Sequence, residues 1–138
     1  MGVIDPAAIA KAEAALNSLS ANFAAWLADE IGKLEAARAR IAVEGLSEQT
    51  CEGVYLRAHD LKGLGATYEY PLVTRMAASL CKLIGTSNAR ADAPLALIDA
   101  HIDAINTAVA ARIQSDETPA GRAMAEDLER RVAAVTGR

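Results

Sequence analysis

Aromatic side chains are scarce in this chain: one Trp, one Phe and three Tyr make up 4% of 138 residues. Large rings cannot build the interior, so aliphatic residues and alanine, within a hydrophobic fraction of 52%, have to fill it. That bias favours helices, because Ala, Leu, Glu, Lys and Arg lose little on entering one. No segment shows the apolar/polar alternation of a half-buried strand. The two cysteines, Cys51 and Cys81, have no metal-ligand spacing and read as buried, reduced thiols acting as small apolar residues. No second ligand stands at i+4 from either histidine, so no metal site is expected. A basic block is missing too. With 14 Lys and Arg against 18 Asp and Glu the formal charge is −4, which argues against nucleic acid as a partner. No apolar run approaches the ~18 residues of a membrane span. The opening stretch lacks the basic-then-apolar order of a signal peptide, and Pro6 stands where a myristoylation signal wants Ser or Thr. A cytoplasmic protein with no membrane partner is therefore expected. A Gly-rich phosphate loop is absent as well, so ATP is not an expected ligand.

What remains is helical punctuation. Asp5-Pro6 starts a first helix, expected to run to about Asn17. From Leu16 to Ile41 apolar residues recur at helical spacing: Leu16, Leu19, Phe23, Trp26 or Leu27, Ile31, Leu34 and Ile41. Gly45 closes that helix, and Ser47-Glu48 opens a third with a cap and an acidic first turn. The third carries Val54, Ala58, Leu61, Leu64 or Gly65, and Tyr68 on one stripe. Pro71 starts a fourth, with Leu72, Val73, Met76, Leu80 and Leu83 inward, and Gly85 ends it before a TSN loop. Asp92 and Pro94 begin a fifth, striped by Leu95, Ile98, Ile102, Ile105, Val109 and Ile113. Thr118-Pro119 starts a sixth, with Met124, Leu128, Val132 and Val135 apolar. Nothing marks a second domain, so residues 1–138 are read as one. Short loops favour antiparallel neighbours. The fold expected is all-α: an up-and-down antiparallel four-helix bundle over about 20–113, with flanking helices at about 6–17 and 119–135.

The informative stretch runs from Tyr55 to Tyr68, Tyr-Leu-Arg-Ala-His-Asp-Leu-Lys-Gly-Leu-Gly-Ala-Thr-Tyr. On a helix at ~100° per residue, His59 points almost opposite Leu61 and Tyr68, the centre of the apolar stripe. Its imidazole is thus expected to face solvent from mid-helix, with Lys62 at i+3, Gly63 at i+4 and Ala66 further along the same line. A neutral imidazole is a good nucleophile near pH 7, since its unperturbed pKa is ~6.5. A cation one turn away favours the neutral ring and can meet phosphate oxygens. A helical glycine costs ~1 kcal/mol against alanine. Gly63 therefore needs a reason, and clearance for an approaching partner supplies one. Gly65 lies toward the core side, where close helix packing is the alternative use. Spacing alone equally permits an ordinary surface histidine, or a helix ending at Lys62-Gly63.

The run from His59 to Ala66 resembles the signature of histidine-containing phosphotransfer (HPt) domains: a histidine, then leucine, lysine, glycine and small residues. Leu80-Cys81-Lys82-Leu83 is similar to the leucine-rich helix that follows in such domains, and the Phe23–Leu34 helix to the one that precedes. The likeness covers roughly residues 20–113. It implies that His59 accepts a phosphoryl group, that Lys62 assists, and that Gly63 and Gly65 give a receiver domain room to dock. Leu56, Asp60 and Ala66 would line the partner surface. The implied function is a phosphorelay intermediate without ATP-dependent kinase activity of its own. Its partners would be response-regulator receiver domains or a hybrid sensor histidine kinase. Such a chain holds no cofactor, Mg²⁺ being carried by the receiver. The chain departs from the family pattern at Asp60, often Thr, at Leu64, usually small and hydroxylated, and at Glu69, commonly glycine.

Two other readings stand beside it. His59-Asp60-Leu61-Lys62 also resembles the phosphoacceptor box of dimeric histidine-kinase helices. That box normally has proline at the position of Leu64 and its helical hairpin dimerises; Gly63 and the extra helices favour the monomeric bundle instead. A non-catalytic helical adaptor would instead show a large exposed apolar patch and tolerate change at His59. His101, on the border of the fifth helix's stripe, is assigned a structural role. Arg57, near the apolar edge of its helix, has to snorkel its charge outward.

Overall fold

The structure is a computed structural model, in which residues 5–137 are described. Among them there are six helices and no strand: α1 (Pro6–Glu44), α2 (Glu48–Leu64), α3 (Pro71–Ile84), α4 (Ser87–Asp92), α5 (Leu95–Ala110) and α6 (Pro119–Thr136).

The two helices expected before Gly45 are a single helix of 39 residues. Between Ala7 and Ile31 the chain has neither glycine nor proline, and Asn17-Ser18 alone does not interrupt an alanine-rich ladder. Asp5 caps it, accepting from the Ala7 N–H at 3.0 Å, and Gly45 ends it at φ 90. Only its second half has neighbours. Leu27, Ile31, Leu34 and Ile41 are buried, whereas every residue from Pro6 to Asn22 is exposed.

α3 is the central element. Nine of its residues are buried, Leu72, Met76, Leu80 and Leu83 among them, and it packs on α2, α5 and α6. α1 closes the remaining side against α2 and α5. The core is one aliphatic cluster with Val54, Ala58, Leu61, Ile98, Ile102, Ile105, Leu128 and Val132. Ion pairs flank it. Arg75 on α3 donates to both carboxylate oxygens of Glu129 on α6, at 2.8 and 2.6 Å, and to Asp116 at 2.8 Å. Arg38 on α1 reaches Glu35 at 2.6 Å and Asp103 on α5 at 2.7 Å.

Four expectations shift. The TSN loop opens a short helix, α4, whose cap Thr86 accepts from the Ala89 N–H at 3.1 Å. α5 then begins at Leu95 with Pro94 at its cap, and ends at Ala110, so Ile113 lies beyond it. Leu95 is exposed and Val109 half-buried. On α6 the buried line is Gly121, Ala125, Leu128 and Val132, which leaves Met124 half-buried and Val135 exposed. Gly121 lies against the Ser115 carbonyl of the preceding loop, where a side chain has no room. α2 stops at Leu64, and residues 65–69 form a turn, placing Tyr68 outside the helix. No described helix is long and apolar enough to cross a membrane.

Candidate functional site

α2 begins with reciprocal capping. Ser47 Oγ accepts from the Thr50 N–H at 3.2 Å, and Thr50 Oγ1 accepts from the Ser47 N–H at 2.8 Å. The helix then runs from Glu48 through Leu64, and the Gly65 N–H still donates to the Leu61 carbonyl at 2.8 Å. Cys51, Val54, Ala58 and Leu61 are buried and fix its rotation. The opposite face is therefore outward. His59, Asp60, Lys62, Gly63 and Ala66 are all exposed, and Leu56 is 53% exposed.

The two glycines separate. A Cβ built on Gly63 meets nothing within 4 Å, so the space beside His59 is open. Gly65 is buried, and a Cβ there would lie 2.6 Å from Thr74 Oγ1 and 2.8 Å from the Thr74 nitrogen. Its missing side chain makes room for the start of α3, so docking clearance at this position is corrected to packing. Thr74 Oγ1 also accepts from the Ala66 N–H at 2.8 Å, which holds the exposed Ala66 next along the line. Arg57 is exposed and lies 3.7 Å from Asp60, where its charge needs no snorkelling path.

Tyr55 lies beside the histidine, and Arg90, which the sequence did not point to, lies over Tyr55. The Tyr55 ring centroid lies 6.0 Å from that of His59, at a 49° tilt. The guanidinium of Arg90 lies over the same tyrosine ring at 5.5 Å. Arg90 itself donates to Glu48 at 2.6 Å and to the Ile84 carbonyl at 2.9 Å. The Arg90 bond, joined by that of Ser87, holds the Glu48 carboxyl below its ordinary value. Tyr55 stands at i−4 from His59, a spacing visible in sequence. Arg90 arrives from α4, a helix that the sequence did not mark. Burial pushes the Cys81 thiol up, and the Lys62 ammonium partly opposes that shift.

The chain matches no family model, no curated protein and no solved structure. The grooves between α4 and α6 and between α3 and α6 are lined by other residues, such as Thr86, Asn88 and Glu129. His59 stands on an open helix face. His101 takes no part: it is fully buried rather than at a border, facing Ser79 Oγ at 2.9 Å and the Leu97 carbonyl at 2.7 Å. A carbonyl only accepts, so Nδ1 carries the ring proton and Nε2 accepts from Ser79. Burial holds the ring's pKa below its ordinary value, and Arg131 adds to that. Both cysteines are free and buried, and burial raises both thiols.

Proposed function

We propose that this protein is a histidine phosphotransfer protein of the HPt kind, relaying a phosphoryl group between receiver-domain aspartates through His59. The observation that carries the reading is the exposed imidazole on an uninterrupted stretch of α2, with Lys62 and the bare backbone of Gly63 on the same face. A nucleophile on an open face has no pocket of its own. The partner has to bring the electrophile, the metal and the exclusion of water, and Gly63 lets it come close. In the transfer, a ring nitrogen of His59 attacks the phosphorus of an aspartyl phosphate. The N–P bond forms as the P–O bond to the aspartyl carboxylate breaks, and the carboxylate leaves with the electron pair. Lys62 meets the developing charge on the phosphoryl oxygens, as cations do in phosphoryl transfer generally. Mg²⁺ belongs to the receiver. On this reading the second half of α1 with α2, α3 and α5 forms the antiparallel four-helix bundle, and α6 is an addition clamped through Arg75.

Incubation with a phosphorylated receiver domain and Mg²⁺ tests it. The expected product carries an acid-labile, base-stable label. His59→Gln abolishes labelling, whereas Lys62→Ala slows it by one to two orders of magnitude with an unchanged melting curve. Labelling that survives His59→Gln defeats the proposal.

A further inference from the structure

The tip of α1 carries an apolar face that the fold leaves open from Ile9 to Leu19 and covers only in part at Phe23 and Trp26. Ile9, Leu16, Leu19 and Trp26 are 42%, 64%, 44% and 47% exposed. With Ala12 and Phe23 they recur at spacings of three and four, the a/d repeat of a coiled-coil seam over residues 9–26. This seam is separate from the one that docks α1 on the core. The core seam is Leu27, Ile31, Leu34 and Ile41. Carried back toward the N-terminus at the same spacing, it reads Ala24, Ser20, Asn17 and Glu13. The apolar line instead steps over by one residue at Trp26. There Phe23 and Trp26 lean on Tyr68, with ring centroids 5.8 Å away in both cases.

The outer seam is self-complementary about a two-fold axis. In an antiparallel pair whose axis passes between Asn17 and Ser18, Ile9 faces Trp26, Ala12 faces Phe23, and Leu16 faces Leu19 of the other copy. The one small residue, Ala12, meets the large Phe23, and all six seam positions are filled. In this register Asp29 lies beside the first turn of the second copy's helix and keeps its own ion pair with Lys33 at 3.5 Å. The two cores then lie at opposite ends and do not collide. A parallel pair would set Ala12 against Ala12, stack the tryptophans, and force the cores side by side.

We infer that the tip of α1 is an antiparallel dimerisation helix, and that its occupant is the tip of a second copy of this chain. The monomer expected from the sequence treated residues 6–17 as a separate flanking helix. The continuous α1 replaces that expectation. The pairing leaves α2 and His59 untouched, so it does not depend on the phosphotransfer reading. A six-residue seam is smaller than the 20–30 residues per side of a standard interface, so the dimer is reversible, with Kd on the order of micromolar to tens of micromolar.

Sedimentation equilibrium of the full chain over a wide concentration range tests the association. A monomer–dimer equilibrium is expected, and Leu16→Glu with Leu19→Glu returns a monomer throughout, with an unchanged melting curve for the core. Orientation is read by a spin label on Ala36→Cys, an exposed site on α1. In the antiparallel pair two such labels lie roughly 55 Å apart at 1.5 Å per residue. A separation of about 20 Å means a parallel pair and overturns the inference. So does a wild-type monomer up to millimolar concentration, or a dimer that survives the double substitution. Loss of receiver-domain binding in the double variant of a monomeric wild type assigns the seam to the receiver, and overturns it likewise.

Discussion

A Cβ added at position 63 meets nothing within 4 Å, whereas one at 65 meets Thr74 Oγ1 at 2.6 Å. These neighbouring glycines therefore respond oppositely to substitution. Gly63→Leu should leave the fold intact or stabilise it by up to about 1 kcal/mol, because a helical glycine is replaced by a good helix former. The same change should slow phosphoryl transfer at least tenfold by filling the space a partner needs. Gly65→Ala should destabilise by about 1–3 kcal/mol through overpacking against α3. Urea melts and transfer rates on the two variants separate the roles. In the sequence both glycines were conspicuous as costly helix residues, and the side each faced was legible from the helical angle. The identity of the residue Gly65 makes room for was not, since Thr74 comes from the next helix.

At the scale of elements, boundaries marked by a capping hydroxyl, a first-turn proline or a terminal glycine were legible. Ser47, Thr118, Pro71 and Gly45 each stand where the sequence placed a helix end. The joining of the first two expected helices was not, because an exposed helical tip obeys the same periodicity as a packed helix and nothing local distinguishes them. The turn after α2 shows a local cost instead. Glu69 sits at φ 70, in the left-handed region where an L side chain is strained. The HPt resemblance has glycine commonly at this position, and the backbone here still adopts the conformation glycine prefers. Glu69→Gly should therefore raise stability by about 1 kcal/mol, read as a higher urea midpoint at unchanged slope. A drop in midpoint would mean that the Glu69 side chain contributes more than its backbone strain costs.

For the whole molecule, His101 ties stability to pH. The folded ring is neutral, bonded to Ser79 and Leu97, and its pKa is lowered chiefly by burial. The unfolded chain takes up a proton near pH 6.5, where the folded one does not. Stability is thus fully present above that pH and lost as the pH falls below it, by up to about 1.4 kcal/mol per unit, until the folded ring also protonates. Denaturant melts at pH 7.5 and 5.5 should show this loss in the wild type and a smaller loss in His101→Gln. The sequence revealed a helical protein and a solvent-facing His59. It did not reveal Arg90 over the Tyr55 ring, because that contact depends on how α4 folds back over α2.

The central claim is that the exposed ring of His59 is the atom group that carries phosphate. Its most direct measurement is the position of the phosphoryl group itself. The protein would be labelled by a phosphorylated receiver, digested at alkaline pH, and its peptides mapped by mass spectrometry. The account predicts one phosphoryl group, on His59, removed by brief acid treatment. Phosphate on His101, an acid-stable phosphate on serine or threonine, or no labelled peptide with any receiver tried would contradict it.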